Sequence, residues 1–170
     1  MTLDNDIALL RLEHSALASE DGSESAPNGN ICTVCLPERA QATGAWLEPG
    51  RRCTVTGYGY ERESGPASLR VRQADLPLVS DSDCQNKTSL ALAKPFVLPA
   101  SSFCAGGELG QDACHGDGGS PLSCKNPDGH YELTGIVSWG YKCGQQDLPG
   151  LYAKVSNFVG WINQIVSVNN

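Results

Sequence analysis

Apolar residues along most of this chain fall in short runs, alternating with polar ones or clustered, and Gly, Pro, Asn, Asp and Ser punctuate the gaps. Runs of that length and period describe strands better than helices. They predict strands around 52–58, 68–79, 101–105, 121–125, 131–139 and 150–155. Upstream, the polar turn Asp4-Asn5-Asp6 feeds an apolar run from Ile7 to Leu10, and residues 3–11 are expected to form a further, buried strand. A stretch rich in Ser, Asp, Glu and Gly at 19–30 reads as a loop. The period changes near the C-terminus, where Val159, Ile162, Ile165 and Val166 recur at helical spacing behind Ser156, a suitable N-cap. A short helix is also expected to begin at Ser80–Asp83, ahead of Cys84. Neither internal repeats nor heptads interrupt the pattern, which predicts an all-β architecture with a C-terminal α-helix.

With 170 residues, 40% of them apolar, the chain can bury a core, although all-β domains of this kind often run to roughly 200–250 residues. A net charge of −7 argues against binding nucleic acid or an anionic membrane. No stretch approaches the length of a membrane span, and Met1 is not followed by a signal peptide. The eight cysteines nevertheless suit an oxidising compartment and point to a secreted, extracellular protein. The Cys32-x-x-Cys35 pair has no second His/Cys cluster and no βαβ context, so neither a metal nor a cofactor is expected. Asn86-Lys87-Thr88 is a glycosylation sequon at Asn86, functional in a secreted chain.

The densest chemistry lies between Cys114 and Cys124, in CHGDGGSPLSC. Gly116, Asp117, Gly118, Gly119, Ser120 and Pro121 resemble the GDSGGP loop of the chymotrypsin/trypsin-like serine protease family, peptidase S1, with glycine where the serine nucleophile stands. Aligned from either flank, the nucleophile's place falls on Gly118, and Ser120 follows two places late. The family's chemistry needs an oxygen held against a base and beside two backbone N–H donors. Glycine supplies no oxygen. Sliding the loop to present Ser120 would misplace Gly116 and Gly118, whose N–H groups match the family's oxyanion donors.

Other residues extend the resemblance in the same order. Asp6, in DNDIALLRL, matches the buried carboxylate that orients the family's catalytic His. None of the three histidines matches that His: His14 and His130 read as surface loop residues and His115 as the rim of the cleft. Asp112, two places before Cys114, matches the carboxylate with which trypsin-like members pair a substrate Arg or Lys. Ser138-Trp139-Gly140 resembles the strand that pairs with the substrate backbone, and Gly150 the open far wall of the specificity pocket. Asp117 matches the acid that pairs with the amino terminus created by activation cleavage. The resemblance also implies disulfides joining Cys53 with Cys124, Cys84 with Cys104 and Cys114 with Cys143. Cys35 matches the cysteine that links the catalytic domain to an upstream segment, and Cys32 is extra to the common pattern.

The implied fold is a trypsin-like double antiparallel β-barrel with a C-terminal α-helix, the second barrel complete and the first largely missing. Residues 1–34 would end the first barrel, 35–50 connect the barrels, 51–155 form the second, and 156–170 the helix and tail. An N-terminally incomplete gene model would account for the catalytic His, the signal peptide and the cysteine partners together. The glycine at 118 resembles the masquerade-like, clip-domain homologues of arthropods. That likeness implies a non-enzymatic binding or cofactor protein of an extracellular cascade such as prophenoloxidase activation or innate immunity. Its expected partners are Arg/Lys-bearing peptides, or cascade proteases and zymogens, besides its own upstream segment. Two alternatives stay open: an active serine-type endopeptidase cleaving after Arg or Lys, if Gly118 is an error, and a truncated product without function.

Overall fold

The computed structural model describes residues 3–14, 16, 33–37 and 47–168. Six strands, β1 (Arg52–Gly57), β2 (Arg72–Val79), β3 (Ser102–Gly106), β4 (Pro121–Lys125), β5 (Tyr131–Trp139) and β6 (Pro149–Lys154), close into an antiparallel barrel in the order β1-β2-β3-β6-β5-β4. Closure leaves no free sheet edge among them, which removes the hazard an open edge would carry. Alternation sets the inside. Cys53 and Val55 of β1, Leu76 and Leu78 of β2, Leu122 of β4 and Tyr152 of β6 meet in the barrel core, and Thr54 and Pro77, between the first two pairs, are less buried.

Three disulfides bind the barrel and its loops: Cys53–Cys124, Cys84–Cys104 and Cys114–Cys143. The first crosses the seam where β4 closes on β1, Thr54 pairing with Ser123 beside it. With its ends 71 residues apart, it lowers the entropy of the unfolded chain by an amount worth roughly 4 kcal/mol in the loop-closure account. Cys84–Cys104 fastens helix α1 (Asp81–Leu92) to β3 over a second small core with Leu151, Phe96, Leu98 and Trp139. Ser80 caps α1, its hydroxyl accepting from Asp83 N. The helix thus starts where expected and continues for three turns.

Several sequence expectations need correction. Residues 3–11 form no strand, and Leu9 and Leu10 are 40% and 87% exposed. A strand needs a neighbour for its N–H and C=O groups, and no described segment supplies one here. The turn is instead pinned by side chains: Asn5 N donates to Ser101 Oγ at 3.0 Å, and Ser101 Oγ donates to Asp4. Asp6, expected buried, is exposed. The strand expected from residue 68 begins at Arg72, because Ser68 N is taken by the carbonyls of Tyr58 and Gly59. Ser156 caps no helix. The chain leaves β6 in a 3₁₀ turn, Val155–Asn157, and α2 starts at Val159. Val159 and Ile162 are buried, whereas Ile165 and Val166 stay 37% and 49% exposed, so only the first part of α2 packs. The loop expected at 19–30 lies outside the described residues, as does Cys32.

Leu122 sits fully buried at the β4 seam, opposite Val55. Leu122→Ala is expected to lower unfolding free energy by about 3 kcal/mol in urea titration, whereas Leu69→Ala, at a side chain 98% exposed, should change it by less than about 0.5 kcal/mol.

Candidate functional site

The loop from β3 to β4 and the end of β5 surround a cavity of about 290 Å³. Its walls include Asp112, Gly118, Ser138, Trp139, Gly140 and Gly150. The geometry of each follows from local sequence. A register shift between Val137 and Trp139 in the β5–β6 ladder re-aims Ser138 and Trp139 toward the cavity. The Cys114–Cys143 bridge ties the two loops on either side of it. A Cβ built on Gly150 would lie 3.3 Å from Asp112 Oδ1, and one on Gly140 would lie 3.9 Å from the Gly150 Cα. These two glycines keep the way to Asp112 open.

Asp112 is half-buried and accepts from Ala113 N through Oδ1 and from Gly144 N through Oδ2, both at 2.9 Å. Burial pushes its carboxyl up to about 6, against the opposing pull of those two N–H donors. Tyr152 lies behind it with a fully buried hydroxyl that has no hydrogen-bond partner among the described residues. Burial raises that phenol far above its ordinary range. A cation brought against this carboxyl would favour its ionised form and offset the cost of burial.

Asp117, 9% exposed, anchors the loop from beneath. Its Oδ1 accepts from Gly59 N at 2.7 Å and its Oδ2 from Cys114 N at 3.0 Å. A Cβ on Gly57 would come within 2.0 Å of Asp117 Oδ1, and one on Gly59 within 2.5 Å of its Cγ. Gly57 and Gly59 therefore make the carboxylate's berth, a role that sequence reasoning missed although Gly57-Tyr58-Gly59 at the end of a strand was a visible signal. Gly116 (φ +89°) and Gly119 (φ +85°) occupy left-handed backbone that other residues adopt only under strain. Gly118 differs from both. It has no positive φ, and a Cβ there would meet nothing within 4 Å. Ser120 is held elsewhere: its N donates to Asp117 O, its carbonyl accepts from Val137 N, and its hydroxyl faces Gly57 outside the cavity wall.

Asp6 and Ser138, far apart in sequence, are brought together, Ser138 Oγ donating to Asp6 Oδ2 at 2.6 Å. His115 lines the cavity, its Nε2 3.3 Å from Glu63 Oε1, while Glu63 Oε2 accepts from Cys143 N at 2.7 Å. That backbone donor first, and His115 second, hold the Glu63 carboxyl below the usual carboxylate range. The Cys143 sulfur near this pair is bonded to Cys114, so the cluster offers a metal ion two donors at most. Lys142, at φ +73° and 5.8 Å from the Tyr141 ring centre, adds a cation to the cavity wall, which the sequence reading did not anticipate. His14 and His130 are exposed, and Cys35 is an exposed free cysteine whose carbonyl accepts from Leu133 N on β5. No described helix is long and apolar enough to cross a membrane.

Residues 1–162 match the family model described as Trypsin. Protein masquerade of Drosophila melanogaster is 58% identical over 169 residues, which cover 99% of this chain and 15% of that protein. Inactive CLIP domain-containing serine protease A8 of Anopheles gambiae is 37% identical over 95% of this chain and 41% of its own length. Phenoloxidase-activating factor 2 of Galleria mellonella is 38% identical over 95% of this chain and 51% of its own. The chain thus spans about half or less of these relatives.

The glycines of the loop should respond differently to a side chain. Gly118→Ser is expected to keep the thermal midpoint or raise it slightly, since it meets open space and reduces unfolded-state entropy. Gly116→Ser should cost about 1–2 kcal/mol, being forced into left-handed backbone. Calorimetry of both variants checks the contrast.

Proposed function

The chain belongs to the trypsin family of serine proteases, and on that premise we propose that it is a catalytically inactive, masquerade-like member that holds Arg- or Lys-bearing segments without cutting them. One observation carries the reading. Gly118, which aligns with the family's nucleophile, lines the cavity without any steric or conformational need for glycine. The position tolerates a side chain and lacks the oxygen that attack on a carbonyl requires. Ser120 offers no replacement, because its hydroxyl faces Gly57 and its backbone is tied to Asp117 and Val137.

The binding half of the machinery remains. A guanidinium or ammonium group entering between Gly140 and Gly150 would meet the Asp112 carboxylate. The backbone from Ser138 to Gly140 would pair with the guest's extended main chain, as an added strand pairs with a sheet edge. The N–H groups of Gly116 and Gly118 would hold the following carbonyl. With no nucleophile the complex stops at the bound state, which converts a protease cleft into a docking cleft. The Asp6–Ser138 hydrogen bond then helps hold the β5 end in shape.

The relatives' names support one setting. One is a phenoloxidase-activating factor and another an inactive CLIP-domain protease. This chain acts as a secreted, extracellular cofactor in such a proteolytic cascade, its guests being basic segments of proteases and zymogens.

The full-length protein is expected to bind an arginyl peptide amide at pH 7.5 without releasing amine over days. Asp112→Asn should weaken binding at least tenfold. Because the guest needs Asp112 ionised and burial holds its carboxyl at about 6, affinity should be flat above pH 7 and fall about tenfold per unit well below 6. Steady amine release by the unmodified protein, or binding indifferent to Asp112, would contradict the proposal.

A further inference from the structure

Thr88 is 1% exposed, and its hydroxyl has no hydrogen-bond partner among the described residues. A buried hydroxyl left unpaired costs about 1–3 kcal/mol, so valine, of the same shape, would serve α1 better. The fold gives no reason for threonine here. Four of its neighbours are engaged in docking the helix. Cys84 is bridged to Cys104, Gln85 Oε1 accepts from Leu98 N at 3.1 Å, Lys87 Nζ lies 2.9 Å from Asp147 Oδ1, and Ser89 Oγ accepts from Phe96 N at 2.9 Å. Asn86, among them, is exposed. It stands two places before Thr88, the spacing at which a hydroxyl licenses N-glycosylation.

We propose that Asn86 carries an N-linked glycan, and that the buried Thr88 hydroxyl is retained for the glycosylating enzyme, which reads it only before α1 docks. In the reaction the Asn86 carboxamide nitrogen attacks C1 of a lipid-linked oligosaccharide. A C–N bond forms, the C–O bond to the pyrophosphate breaks, the lipid pyrophosphate leaves and the amide loses one proton. Recognition of Thr88 requires access to its hydroxyl, and in the folded protein the residue is closed off. Modification must therefore precede docking of α1. Once folding is complete, the helix presents the glycan to solvent and buries the residue that directed it. The inference rests on passage of the chain through a secretory compartment and is independent of what the cleft binds.

The test supplies that compartment directly. The full-length protein, fused behind a cleavable signal peptide, is translated into glycosylation-competent microsomes, and the peptide containing Asn86 is read by mass spectrometry. The expected result is a glycan at Asn86 that survives Thr88→Ser and disappears in Asn86→Gln and Thr88→Val. Enzymatically deglycosylated wild type and Thr88→Val are then compared by thermal unfolding, where the variant should melt at the same temperature or higher. Folded, unglycosylated protein offered to the solubilised transferase with its lipid-linked donor should remain unmodified, and the reduced, unfolded chain should be modified. An unmodified Asn86 in the translocated chain, equal modification of the folded and unfolded forms, or a marked fall in melting temperature for Thr88→Val would each overturn the proposal. Because glycan occupancy is read on a translocated chain and not through peptide binding, its failure is distinct from failure of the docking function.

Discussion

Asp117 is the constraint around which the cleft is arranged. Its carboxylate lies beneath the loop that leads into β4, taking N–H groups from Gly59 on one side and Cys114 on the other. Two distant stretches of chain are drawn together by that one side chain, and neither Gly57 nor Gly59 leaves room for a Cβ beside it. The loop above must then turn sharply, with Gly116 and Gly119 in left-handed backbone. The same turn sets Gly118 in the cavity wall and directs Ser120 away from it. A buried carboxylate satisfied by backbone donors in this way is costly to displace, so the loop's shape does not depend on what residue 118 contributes.

Asp112 lies five residues before Asp117 in the same loop but in a different electrostatic situation. Each of its oxygens has one backbone donor, yet burial still outweighs them and its carboxyl is raised to about 6. A cation brought against this carboxyl would relieve that imbalance. Lys142 lines the same cavity and adds a positive charge to its wall. In the function we propose, a pocket without the reacting oxygen serves selection rather than turnover.

Alternating sequence revealed β1 and β4 well, because each buries one face and the period of two survives in the residue order. β4 and β5 lie at the ranges expected from it. The failures have a common physical origin. Ile7 to Leu10 looks like a strand because apolar clustering reports a preference for burial, but a strand also requires a pairing neighbour, which composition does not report. α1 carries no apolar stripe, burying only Cys84 and Thr88, so its cap was visible while its length was not. At the site, Asp112, Ser138, Gly140 and Gly150 do share one cavity. Gly57, Gly59, Glu63 and Lys142 escaped notice because their importance arises from contacts across long separations, which no local pattern encodes.

The most direct test of the proposed loss of the nucleophile is covalent. The full-length protein, secreted and disulfide-bonded, can be incubated with a fluorophosphonate that phosphonylates activated serines, and the segment from Cys114 to Cys124 then sequenced by mass spectrometry. The account predicts that this segment remains unmodified while the protein still binds its arginyl guest. A phosphonyl group on Ser120 would show that the loop can present that hydroxyl to the cleft, and would contradict it.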